Sequence, residues 1–271
     1  MIRHFIIMSY AYPEYKRIAF DIIEKDGSIQ YIEYIDHIIS NIREKCNGDA
    51  PFSTHSIPAD DENWESVVKA DPYFRDVAVI DDFDEFMAKI IESRKLKGTD
   101  VGNYIINKIT PLTHLQLQKL CYFCYADYLC ETKKKLFNDN IYAFRLGPVI
   151  ETVYNSFKGN GSQPLHPESN KGNLFKKGQD LTSENDEENL LEEGSKLNKL
   201  PSEIRILFSK DGIEKLKSIN KTLDKYGKCS ASELVAMTHR ENTPWDKADD
   251  NKPFAEISDE NILKYHRYEE I

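Results

Sequence analysis

The sequence predicts an α+β protein overall: a small, acidic, mixed α/β domain over residues 1–100, then a mainly α-helical domain over 101–271. Three observations predict it. Two runs rich in Ile, Tyr and Phe near the N-terminus flank an Asp-Gly pair, which is a hairpin signal. From Thr110 onward, apolar residues recur at three- and four-residue spacing between helix-capping signals. Charge is also divided unevenly. Residues 1–105 carry 12 Lys+Arg against 20 Asp+Glu, whereas 106–271 carry 24 against 26, so most of the net charge of -10 belongs to the first part. Such a surface repels nucleic acid and suits a basic protein partner.

With 271 residues, 30% of them charged, the chain is long enough for two globular domains. No apolar run approaches the roughly 18 residues of a membrane span, and the start lacks the long apolar core and small-residue cleavage site of a signal peptide. Five cysteines, three of them at Cys121, Cys124 and Cys130, are expected to be reduced thiols of a cytoplasmic protein.

In the first domain, Arg17–Ile23 and Ser28–Ile35 read as paired strands around Asp26-Gly27. His37–Cys46 reads as a helix and Gly48–Asp61 as a loop. Val77–Ile80 is a strand candidate. Asp81–Arg94 fits a helix whose acidic first turn suits the helix dipole, with Phe83, Phe86, Met87, Ile90 and Ile91 on its buried face. Gly98–Gly102 reads as the linker.

In the second domain, Thr113 and Gln116 form a capping box that opens a helix bearing Leu117, Leu120, Cys121, Cys124, Tyr125 and Tyr128 on one face. Lys133–Asn140 is a polar connector. Pro148 suits the first position of a second helix, with Val149, Ile150, Val153, Tyr154 and Phe157 as its apolar face and Gly159-Asn160-Gly161 as its end. The stretch 159–183 reads as a long irregular loop, and 184–193, with six acids in ten residues, as a solvated face. Asp211 with Glu214, and Ser230 with Glu233, cap two further helices. The first carries Ile213, Leu216, Ile219, Leu223 and Tyr226, and Gly227 ends it. The second ends near Thr238-His239.

Three blocks in order, Leu-x-Leu-Gln-Lys-Leu-x-Tyr-Phe from Leu115, Phe-x-x-Gly-Pro-Val from Phe144 with Val-Tyr-x-x-Phe-Lys from Val153, and Ser-Ala-x-Glu-Leu with Thr238-His239 and Pro244-Trp245, resemble the Panacea domain of SocA-like antitoxins. The resemblance covers about 112–248 and leaves the first hundred residues unassigned. It implies a non-enzymatic antitoxin that binds a cognate protein toxin, one directed at nucleotides or tRNA. Its motif positions are Gln118, Lys119, Tyr122, Phe123, Arg145, Gly147, Pro148, Tyr154, His239 and Trp245. A DNA-binding extension, found in some of the family, does not fit the acidic N-terminal region, so no direct nucleic-acid contact is expected.

No catalytic centre, metal site or cofactor is expected. Cys121-x-x-Cys124 has redox or zinc spacing but lies in mid-helix with no second ligand pair, so both read as core cysteines. His239 beside Trp245 is the residue most like a catalytic one, yet no nucleophile or carboxylate is placed to complete a site, and it reads as packing or capping. Arg145 with Gly147-Pro148 lacks the spaced glycines of a phosphate loop. Tyr122, Phe123, Tyr125 and Tyr128 read as core, not as a base-stacking platform. Asp60, Asp61, Glu62, Asp81, Asp82, Asp84 and Glu85 are the candidate contacts for a basic toxin. Two alternatives stand beside simple blocking: a proteolytic adaptor, separated by toxin stability in cells, and a hydrolase using His239, separated by His239→Ala.

Overall fold

The computed structural model describes residues 2–12, 16–24, 29–161, 163–167, 202–248 and 254–266. The architecture is α+β, 52% helical, with a small N-terminal sheet and a helical C-terminal region. It falls into two compact units, one built mainly on residues up to Lys95 and the other on those from Leu96 onward. The expected turn residues Asp26-Gly27, the acidic run 184–193 and most of the 159–183 stretch lie outside the described residues.

The N-terminal unit is a four-stranded sheet of order β3-β1-β2-β4, formed by β1 (Ile2–Ala11), β2 (Lys16–Glu24), β3 (Ser53–Ala59) and β4 (Val77–Val79). β1 runs antiparallel to β2 and β3, with Ile7 opposite both Phe20 and Thr54, and β4 is parallel to β2. Both faces of the sheet are covered. Ile7, Ile18, Phe20 and Ile22 pack with α1 (Ile29–Lys45) and α3 (Phe83–Ser93) through Ile38, Ile42, Phe86, Met87 and Ile90. Ile6, Met8 and Ala19 pack on the other side with Val67 of α2 (Trp64–Ala70), Phe74 and Val77.

The hairpin partner of β2 is therefore β1, not 28–35, whose described residues, from Ile29, belong to the 17-residue helix α1. The β-branched content of that segment favours a strand. Its Ile35, Ile38, Ile39 and Ile42 nevertheless recur at helical spacing and pack on the sheet, and this tertiary burial overrides propensity. The expected loop over Gly48–Asp61 contains β3, and Gly98–Gly102 is no linker but the start of α4 (Gly98–Lys108). Asp82 caps α3 through the Glu85 N–H at 2.7 Å, while Ile91 stays 41% exposed on its outer side.

A buried ion pair joins β1 to β2. His4 is fully buried, with Nδ1 2.7 Å from Asp21 Oδ2 and Nε2 3.0 Å from the Asp61 carbonyl oxygen. Both ring nitrogens face acceptors, which suits the doubly protonated imidazolium. Burial opposes that charge, but the hydrogen bonds to Asp61 and Asp21 outweigh it, and the pKa rises above its ordinary value.

The C-terminal unit is organised on α5 (His114–Thr132), buried from Leu117 to Leu129. Around it pack α4, α6 (Glu151–Phe157), α7 (Ser202–Leu207), α8 (Gly212–Tyr226), α9 (Ala231–Thr238) and α10 (Asp259–Tyr265), with a hairpin of β5 (Ile141–Phe144) and β6 (Gly147–Ile150). The central stretch is thus helix–hairpin–helix. Pro148 sits in β6 opposite Ala143 and does not open a helix. It is tolerated there because Ala143 turns its N–H to the Ala255 carbonyl, 2.8 Å away on the other edge of β5. Asp211 does not cap α8. Its backbone is left-handed, at φ 59°, and its carboxylate meets Lys134 at 3.4 Å instead. The capping boxes at Thr113/Gln116 and Ser230/Glu233 are present.

Because His4 binds its second proton more tightly when folded, its stabilisation is complete below about pH 6.5 and disappears as pH rises through the elevated value. Urea midpoints read from the β1 amide resonances are expected to fall above neutrality, and His4→Gln is expected to flatten that part of the profile.

Candidate functional site

The motif positions other than Tyr122 and Phe123 lie at or beside the β5–β6 hairpin. Gln118 and Lys119 are adjacent on α5, and both are buried. Gln118 Oε1 accepts the Ile150 N–H at 3.0 Å, and Lys119 Nζ donates to the Pro148 carbonyl at 2.8 Å. Two neighbouring side chains thus hold one strand at alternate residues, reaching an N–H and a C=O that no strand partner takes. The ammonium of Lys119 is fully buried, and that burial brings its pKa down to about 7.

Gly147 makes this closeness possible. Its φ is +97°, and a Cβ there would lie 2.6 Å from Thr238 Oγ1 and 2.8 Å from Lys119 Nζ. On the other strand of the hairpin, Trp245 Nε1 donates to the Phe144 carbonyl at 2.8 Å. The His239 ring stacks on Trp245, with centroids 3.9 Å apart, and its backbone N–H closes α9 on Val235. Burial first, and then the nearby Lys119, lower the His239 pKa and favour the neutral ring.

Arg145 is exposed at the hairpin turn and is not at a helix N-terminus, so the anion-holding arrangement considered for Arg145, Gly147 and Pro148 is absent. Tyr154 is 36% exposed on α6, its ring 5.8 Å from Phe144 and 5.5 Å from His114. Tyr122 and Phe123 are buried, and Phe123 stacks on Tyr226 at 4.4 Å. Cys121 and Cys124 are fully buried, and burial pushes both thiols up, away from the reactive thiolate.

With that geometry in view, residues 117–246 match the family described as Antitoxin SocA-like, Panacea domain. This segment is similar to a Panacea domain. A curated relative, Antitoxin SocA of Caulobacter vibrioides (strain NA1000 / CB15N), is 29% identical over 150 residues, which are 54% of this chain and 66% of the relative, just under two thirds of its length. No solved structure matches the chain. Six of the ten motif positions therefore form one spatial cluster: Gln118, Lys119, Gly147, Pro148, His239 and Trp245 all bond, stack or pack at the hairpin.

The acidic candidates belong to the N-terminal unit, outside the matched segment 117–246. β2, β3 and β4 point the same way, so their C-terminal ends share one edge of the sheet. Asp60, Asp61 and Glu62 follow β3, and Asp81, Asp82, Asp84 and Glu85 follow β4; all are exposed. Two runs twenty residues apart in sequence thus come to the same end of the sheet. Asp60 pairs with Lys69 at 2.8 Å, Asp84 with Lys45 at 3.6 Å, and Glu85 with Lys89 at 3.7 Å.

Sequence reasoning missed Asp127 and His266. His266 Nε2 lies 2.8 Å from Asp127 Oδ1, and both side chains are almost fully buried. They are 139 residues apart, and neither stands in a recognisable motif, so nothing in the sequence pairs them. Among the described residues, no group of three His, Cys, Asp or Glu side chains is arranged to hold a metal, and no helix is long and apolar enough to cross a membrane.

Two outcomes test the hairpin clamp. Lys119 is neutral in the fold above about pH 7, while in the unfolded chain it keeps its proton to about pH 10.4. The C-terminal unit is thus expected to gain up to ~1.4 kcal/mol per pH unit across that window, and Lys119→Met to abolish the gain in urea titrations. Gly147→Ala is expected to cost at least ~2 kcal/mol, from the left-handed backbone and the clash with Lys119 and Thr238.

Proposed function

We propose that this protein is the antitoxin of a toxin–antitoxin pair and neutralises its cognate toxin by direct contact over the toxin's substrate cleft. The observation that carries the reading is the Panacea match over 117–246. The geometry supports it in two ways. Gln118, Lys119, His239 and Trp245 of the signature are engaged in holding a hairpin, by backbone hydrogen bonds and ring stacking. The N-terminal unit also gathers seven acids at one end of a sheet, a surface that complements a basic cleft reading nucleotide or tRNA phosphates.

An acidic face that occupies a phosphate-reading cleft speeds encounter through long-range attraction and then excludes substrate by bulk. An interface of ordinary size, roughly 1,200–2,000 Å² in total, is enough for a stable complex when a few buried anchors dominate. The protein makes contact with the toxin, in the cytoplasm, and not with nucleic acid.

Co-expression with the toxic product of the neighbouring gene, followed by co-purification, tests the reading. Growth rescue with a stable complex is expected, at unchanged toxin lifetime. Rescue without a complex overturns blocking, and rescue accompanied by rapid toxin loss identifies an adaptor. The charge-reversing pair Asp81→Lys and Asp84→Lys is expected to slow association by ~10-fold or more at low salt and much less at high salt, with unfolding unchanged.

A further inference from the structure

A cavity of about 280 Å³ opens in the C-terminal unit, where α5, the end of α9 with the loop after it, and the end of α10 meet. Tyr122, Phe123, Met237, Arg240, Tyr265 and His266 are among its walls. The aromatic part is rigid, because Phe123 is stacked on Tyr226 and the rings of Tyr122 and Phe123 sit 6.3 and 6.2 Å from that of His266.

The polar part is more specific. Asp127 Oδ2 accepts the Thr222 hydroxyl at 2.8 Å, and Oδ1 faces His266 Nε2 at 2.8 Å. With both carboxylate oxygens acting as acceptors, Nε2 is the donor. In the neutral ring that fixes the proton on Nε2 and leaves Nδ1 as a lone-pair acceptor. Nδ1 makes no hydrogen bond among the described residues. The His266 side chain is only 3% exposed, so this acceptor belongs to the cavity and not to open solvent.

Size and chemistry narrow the guest. Ligand pockets for whole small molecules run to roughly 300–1,000 Å³, so this one is at the lower limit, with space for one large side chain. Asp127 is already satisfied, and among the walls the charges of Arg240 and Glu241 oppose each other, so no net charge on the guest is called for. Flat aromatic walls beside the His266 acceptor, with Glu241, Asn242 and Thr243 also lining the cavity, favour a ring with one N–H or O–H at its tip. Tyrosine and tryptophan are such rings, and they are the residues that most often anchor interfaces.

We propose that this cavity is the anchor pocket for one tyrosine or tryptophan side chain of the protein partner, whose O–H or N–H donates to His266 Nδ1. The partner assignment rests on the toxin-binding reading; the pocket's chemistry does not.

The test therefore has two arms, both on the full chain. In the first, p-cresol, 3-methylindole and toluene are titrated into isotope-labelled protein. The two donor-bearing probes are expected to shift the amide signals of residues 237–243 and 265–266, binding ~10-fold or more tightly than toluene, a difference of ~1.4 kcal/mol. Met237→Trp, or the milder Met237→Phe, is expected to fill the cavity and weaken both probes by at least ~10-fold. Absence of these shifts, equal binding of toluene, or probe binding unaffected in both folded variants overturns the proposal. In the second arm, the same variants are expected to bind the toxin ~10-fold or more weakly. Wild-type affinity in a variant that no longer takes up the probes overturns the anchor while leaving the toxin reading intact. Probe uptake by a wild-type chain that binds no toxin overturns the partner assignment together with that reading.

Discussion

The C-terminal unit depends on one buried contact, the Lys119 ammonium on the Pro148 carbonyl. Burying a lysine without a carboxylate is costly, and the lowered pKa is the measure of it. The arrangement is tolerable because Lys119 acts with Gln118 as a pair. Together they reach an N–H and a C=O on β6 that would otherwise be buried without partners. Every neighbouring constraint follows from that contact. Residue 147 must lack a side chain, His239 is favoured uncharged, and Trp245 fastens the other strand.

This accounts for a signature scattered across some 130 residues that contains Lys, His and Trp. Gln118, Lys119 and Trp245 each bond a backbone group of the hairpin, and the His239 and Trp245 rings stack. What it presents outward is the hairpin turn, with Arg145 and Leu146 exposed and Phe144 and Tyr154 beside them. The polar group with spare hydrogen-bonding capacity toward a cavity, His266, stands outside the signature altogether.

Local signals in the sequence were legible where one short segment decided the outcome. The capping boxes at Thr113 and Ser230 and the acid-capped helix α3 depend on residues three apart, and they can be read directly. Long-range pairing was not legible. Ile and Tyr in α1 looked like a strand because propensity says so, and only the sheet beneath it selects the helical period. Pro148 looked like a helix start because nothing nearby shows that Ala143 bonds elsewhere. Of the candidate site, the signature residues were visible as a set, but their convergence on one hairpin was not. The convergence of the two acidic runs depends on strand order, and the Asp127–His266 pair on a contact between distant helices.

β5 has β6 on one edge and the segment around Ala255–Ile257 on the other, with Ala143 bonded to Ala255 and Ile257 to Ile141. During synthesis the hairpin therefore emerges more than a hundred residues before its second edge is covered. A growing or prematurely terminated chain displays an open strand edge, which invites pairing with another chain or capture by a chaperone. β5 gains its second neighbour only once residues 255–257 have emerged, so chains that contain this segment and fragments that lack it differ in a feature that cellular quality control can recognise.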